Sequence, residues 1–232
     1  MDQGSKHVDT SLTHFFDEAL PSISEDYRWP PKGKPADCPF DGYQSAGSSN
    51  LETVLHQRRF LASLWAVDPT QRLRIASWVI RDWGGVRGNA PETIRRYAST
   101  DSGELIGAGI TGIASWSKVL AVADPCRFAI YDARVAVSLN AIQLVYGGNQ
   151  LHHGFPLLPS QNKRIVAFGK RLRQRADWMD ASALQPAASA YQSYLDHLHY
   201  QAKCRGESLD WQILEMALFS HAERLLERAV PN

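Results

Sequence analysis

The sequence predicts an all-α fold. Three observations carry that expectation. From residue 50 onward, apolar side chains recur every three or four positions. Glycine pairs and prolines interrupt these runs at intervals that a helix would fill. No stretch alternates convincingly between apolar and polar residues, and no internal repeat is found.

The elements follow in order. Residues 1–50 read as an irregular N-terminal extension. A short helix over 14–20 ends before Pro21, and a stretch rich in Pro, Gly and Ser follows, pinned by Trp29, Phe40 and Tyr43. Residues 51–232 read as a helical domain, with 51–148 forming one set of helices and 149–232 the C-terminal set. Asn50 caps a helix carrying Leu51, Val54, Leu61 and Trp65. Asp68 and Pro69 open another, through Leu73, Ala76, Val79 and Ile80 to Trp83, stopped by Gly84 and Gly85. Pro91 opens a short helix over 92–98, residues 101–103 turn the chain, and 106–112 are glycine-rich and ambiguous. A helix over 115–123 stops at Asp124 and Pro125. Asp132 caps the next, with Val135, Leu139, Ile142 and Val145 at helical spacing, and Gly147 and Gly148 end it. A loop over 149–159 leads to a basic helix over 160–177 with Ile165, Phe168 and Leu172 inside. Two long helices, over 187–204 and 208–228, meet at Arg205 and Gly206.

A chain of 232 residues buries a core without help from a metal or a disulfide. Cys38, Cys126 and Cys204 are odd in number and far apart, which argues for free thiols and a cytoplasmic setting. No signal sequence or membrane-spanning run is read. The net charge is only +1, so affinity for nucleic acid would rest on local patches.

One stretch, residues 111–139, concentrates reactive residue types. It holds a glycine turn, Lys118 near the start of an apolar helix, and Asp132 opening the next helix. Asp132 at a helix N-terminus can accept backbone N–H bonds and stay ionised. Ordinarily such a lysine is solvated and such an aspartate is a plain cap; the functional case rests on both facing one cavity.

This stretch resembles the helix-hairpin-helix DNA glycosylase superfamily, and within it the 8-oxoguanine glycosylase branch. The likeness runs from Thr111-Gly112-Ile113-Ala114 through Lys118 to Asp132 and Val135. The family hairpin usually reads Leu-Pro-Gly-Val-Gly; here it is Ile110-Thr111-Gly112-Ile113-Ala114, and the spacing from Gly112 to Lys118 to Asp132 differs. The resemblance implies a glycosylase-like helical domain that acts on damaged or modified DNA. Lys118 would be the nucleophile and Schiff-base former, and Asp132 the electrostatic and acid/base group. Gly112, Ala114, Ser115 and Ser117 would approach the DNA backbone. Trp116, Trp211, Gln212 and Phe219 would shape the base pocket. No cofactor or metal is implied. The chemistry suits these types. A carboxylate stabilises positive charge developing on the sugar, and a neutral amine can attack C1′.

Other positive residues could touch phosphates. Lys163, Arg164, Lys170, Arg171, Arg173 and Arg175 form the densest run, and Arg81, Arg87, Arg95 and Arg96 flank Gly84, Gly85 and Gly88. Each set reads equally as a solvated face. His152 and His153, or His197 and His199, lack ligand spacing on one helix face. His221 shares a face with Leu214, Leu218 and Leu225 and reads as a core histidine. Two rival functions remain: a DNA-binding module without catalysis, in a repair or defence system, or a helical domain that docks another protein.

Overall fold

The computed structural model describes residues 3–29, 38–178, 189–206 and 209–229. Residues 30–37 of the Pro/Gly-rich stretch and the expected helix starts at Ala187 and Ser208 lie outside them. Among the described residues the chain is helical and holds no strand. None of the described helices is long and apolar enough to cross a membrane.

The N-terminal region differs most from expectation. It opens with α1 (Gln3–Ala19), not with an irregular segment and a short helix. Val8, Leu12, Phe15 and Phe16 line one face and are buried, matching a 3.6-residue period. Three mid-helix hydroxyls, of Thr10, Ser11 and Thr13, bond back to carbonyls four residues earlier, which lets polar residues poor in helix propensity stay in the helix. A 3₁₀ turn (Leu20–Ser22) and α2 (Ile23–Asp26) follow.

Next comes α3 (Asn50–Val67), capped by Ser49 rather than Asn50. The Ser49 hydroxyl accepts from the Glu52 N–H while the Glu52 carboxylate accepts from the Ser48 N–H, a reciprocal closure of the helix start. Asp68 caps a 3₁₀ turn (Pro69–Gln71) that runs into α4 (Arg72–Trp78). The last turn widens to a π-turn (Val79–Trp83) before Gly84. Then come α5 (Pro91–Ser99) and α6 (Ser102–Gly107), the latter beginning within the turn expected over 101–103, where Asp101 caps it, and ending inside the ambiguous stretch 106–112. A five-residue turn, 108–112, leads into α7 (Ile113–Ala123). Gly109 and Gly112 both adopt positive φ there, a conformation that glycine reaches without a Cβ clash.

The C-terminal set comprises α8 (Ala133–Tyr146), α9 (Lys163–Leu172), α10 (Ala190–Arg205), α11 (Trp211–Ser220) and α12 (Ala222–Ala229). The expected last helix is therefore two, broken at His221, which is buried with Nε2 3.2 Å from Asp26. Helix α8 is the axis of this half. Ten consecutive residues, from Val135 through Leu144, are buried, and α1, α9, α11 and α12 pack around them. Its amides also fasten the loop 149–159. Asn140 bonds both polar backbone groups of Phe155, and Gln143 accepts from the N–H groups of His152 and His153.

In the other half, α7 packs on α3, α4, α5 and the π-turn. Helix α11 touches both sets, contacting α2 and α3 as well as α8 and α10. The connector between α7 and α8 is threaded through the core, with Phe128, Ala129, Ile130 and Tyr131 all buried. Buried backbone needs partners, and α10 supplies them. Tyr191 donates to the Ala129 carbonyl and Tyr194 to that of Ile130.

Candidate active site

Lys118 and Asp132 are brought together at the junction of the two halves. Eight of the residues from Ser115 to Val122 on α7 are buried, because packing surrounds this helix on several sides. A lysine in its second turn is therefore carried inside, and only 4% of Lys118 remains exposed. Its stem lies across Gly84. A Cβ at Gly84 would sit 2.7 Å from Lys118 Cε and 2.8 Å from Cδ. The π-turn just before Gly84 puts that backbone in reach, a departure from α-geometry often met at functional sites. The amine donates to the Ala114 carbonyl one turn back.

Asp132 caps α8, with Oδ1 accepting from the N–H groups of Arg134 and Val135 at 2.9 and 3.0 Å. Ser117 couples the two residues. Its buried hydroxyl accepts from the Tyr131 N–H at 3.0 Å. The neighbours of Lys118 and Asp132 are thus bonded directly to each other.

Both side chains line one small cavity, shared with Tyr27, Trp29, Arg58, Trp83, Ile130, Glu215 and Phe219. The lining side chains leave little more than a water's width at its centre. Trp29 lies 5.4 Å from Trp83 and 5.0 Å from Phe219, ring centre to ring centre. Arg58 and Glu215 form an ion pair at 2.6 Å, each 3% exposed, and the Arg58 guanidinium sits over the Trp83 ring at 5.4 Å.

Electrostatics follow from this burial. Desolvation lowers the pKa of the Lys118 amine, with Arg58 adding to the effect while the Asp132 and Glu215 charges oppose it. Burial raises the Glu215 carboxyl against the pull of Arg58, and the Asp132 charge raises it further.

The other sequence-derived residues divide by position. Phe219 joins Lys118 and Asp132 in the cavity. Trp116 does not. It is buried in the core, donates to the Thr111 carbonyl and packs edge-on against Tyr191. Trp211 and Gln212 turn instead toward Pro125, whose carbonyl accepts from both. Trp211 lines a separate, open groove with Arg59, Cys126 and His199. Gly112 is exposed and Ala114 half-buried at the start of α7. Ser115 and Ser117 are buried, and the Ser115 hydroxyl accepts from Asn89 at 2.7 Å, so neither hydroxyl is presented at the surface. Arg87 is exposed on the loop that Asn89 ties to α7.

Lys163, Lys170 and Arg171 are exposed on α9, whose residues do not line the Lys118 cavity. Arg164 is paired with Glu227 and Glu223, and Arg175 with Asp177, so the positive run is partly neutralised. No group of three potential metal ligands occurs among the described residues.

Sequence reasoning missed Tyr27, Trp29, Arg58, Trp83, Ile130 and Glu215. Glu215 did carry a signal. It stands alone in the apolar run Ile213-Leu214-Glu215-Met216-Ala217-Leu218, and an acid in such a run is buried only with a partner. Comparison with protein-family models, with characterised proteins and with solved structures found no match.

Proposed function

We propose that the protein is a DNA glycosylase with an associated lyase step, excising a damaged or modified base through a Schiff base on Lys118. One observation carries this reading. A desolvated lysine and a helix-capping aspartate line the same aromatic-walled cavity. The resemblance of residues 111–139 to helix-hairpin-helix glycosylases agrees with it, and so does a glycine turn at 108–112 joining two helices.

The chemistry assigns each group a task. With its proton shed, the Lys118 amine attacks C1′ of the extruded nucleotide. The N-glycosidic bond breaks, its electron pair leaves with the base, and the base gains a proton. Asp132, held in place through Oδ1, stabilises the positive charge that develops on the sugar. Ring opening gives the iminium, loss of a C2′ proton expels the 3′ phosphate, and water releases the lysine. Stacking walls hold a base taken out of the duplex. Trp29, half-buried and in contact with both Trp83 and Phe219, is the side chain placed to swing aside or to stack on the incoming base.

The test is borohydride trapping on oligonucleotides bearing abasic, oxidised, deaminated or alkylated sites. A covalent adduct from the wild type that is lost in Lys118→Ala is expected. Folded wild-type protein that gives neither adduct nor excision across the panel would overturn the proposal.

A further inference from the structure

Resting on the glycosylase reading above, we propose that Arg58 is the specificity-determining residue of the pocket. It would select purines that present two adjacent acceptors, O6 and N7, as guanine-type bases and deaminated adenine do. The argument is an inventory of one guanidinium. Its five N–H donors form a rigid planar fork. Nη1 gives its two to Glu215 Oε2 at 2.6 Å and Gln212 Oε1 at 3.5 Å. Nη2 gives one to Glu215 Oε1 at 3.3 Å. The Nε–H is buried with no acceptor.

By the geometry of the group, Nε–H and the second Nη2–H point the same way along one edge. Arg58 therefore spends one edge on Glu215 and keeps a second, donor–donor edge unspent. A buried donor without an acceptor is costly, and this one belongs to a side chain that lines the Lys118 cavity.

A donor–donor edge is complementary to two parallel acceptors. Carboxylates and phosphates offer them, and so does the O6/N7 face of a purine. The surroundings choose between these. Glu215 and Asp132 line the cavity with Arg58 and Lys118, so the carboxylates match the cations, no positive charge is in surplus, and an anionic ligand is disfavoured. A neutral base is not. Trp83 lies under the guanidinium, so a base bonded in the plane of Arg58 would extend over or beside the same ring. A base whose N7 carries hydrogen or an alkyl group offers O6 alone to this edge.

The experiment deletes one ligand atom. Duplexes with a 2′-fluoroarabino sugar, which resist cleavage, would carry hypoxanthine or 7-deazahypoxanthine at the target site. Wild-type affinity is measured for each. The expected result is tighter binding of hypoxanthine by about tenfold, the scale of one bidentate contact, and loss of that preference in Arg58→Lys, which keeps the charge without the fork. Equal wild-type affinity for the two duplexes overturns the proposal, as does an unchanged preference in Arg58→Lys. If Arg58→Lys does not fold, the wild-type comparison decides alone. Borohydride trapping of wild type on abasic DNA, which carries no base, separates the two levels. Its failure sinks the glycosylase reading, whereas trapping without N7 discrimination sinks only the assignment of Arg58.

Discussion

Replacing Gly84 with alanine drives a methyl group into the stem of Lys118. The new carbon would lie 2.7 Å from Cε, 2.8 Å from Cδ and 2.6 Å from the Val79 carbonyl oxygen. Ordinary contact begins near 3.4 Å, so the lysine must retreat by about 0.7 Å or the π-turn must shift. Overpacking of this kind costs about 1–3 kcal/mol. At about 2–4 °C per kcal/mol for a chain of this size, a 2 kcal/mol loss lowers Tm by about 4–8 °C.

A double-mutant cycle isolates the lysine's share. In a Lys118→Ala background the two side-chain clashes vanish and the Val79 carbonyl clash stays. The Gly84→Ala penalty there is expected to shrink by about 1 kcal/mol, read by urea or thermal unfolding. Trapping on abasic DNA by Gly84→Ala should fall by about 10²-fold, the scale of a misplacement near 1 Å. An identical Gly84→Ala penalty in both backgrounds would refute the claim that Gly84 cradles the lysine.

Three further predictions concern the same frame. Ser117→Ala strands the buried Tyr131 N–H, costing about 1–3 kcal/mol in chemical denaturation; a neutral result would break the proposed coupling of α7 to the Asp132 cap. Gly112→Ala combines a left-handed φ of 73° with a Cβ only 2.0 Å from Tyr97 Oη, so it should destabilise strongly. Adding Tyr97→Phe should recover part of the loss, and no recovery would show that the strain is backbone alone. The third is a pH dependence. The folded-state pKa of Lys118 lies below 10.5, so between those two values the unfolded chain binds the extra proton and stability rises with pH. Wild type should therefore gain stability relative to Lys118→Met as pH climbs through that window toward 10.5, and a stability difference that stays flat with pH would contradict it.

Local signals in the sequence were read with success where one residue acts through its own neighbours. Asp132 before an apolar run is a cap, and the structure makes it one. Asp68 with Pro69 starts a helix, and Gly84 ends its π-turn. The all-α class follows from many such signals together. Failures came where distant segments decide. Arg58 and Glu215 lie 157 residues apart, and nothing local to either marks a shared cavity wall. The family resemblance sets Ser117 against the DNA backbone. Its partner on the connector is 14 residues on, reached only because that connector turns inward. The family resemblance sets Trp116 in the base pocket beside Lys118, yet adjacent helical residues point about 100° apart. Helix α1 was obscured by Asp9 and Thr13, polar residues whose partners His197 and Gln201 lie 188 residues downstream of each.

Helix α1 has a consequence for how the molecule assembles. It docks on α8 and α10, and its Asp9 bonds to His197 and Gln201, 188 and 192 residues downstream. At a synthesis rate of 5–20 residues per second, the helix waits about 10–40 s for those partners to be made. Until α10 is made, Val8, Leu12, Phe15 and Phe16 have at most part of their native cover, from α8. The half built around α8 cannot close in the order in which it is translated. Closing it brings α1 back to α10 across 188 residues, a long loop closure of the kind that slows folding and leaves apolar surface open to chaperones.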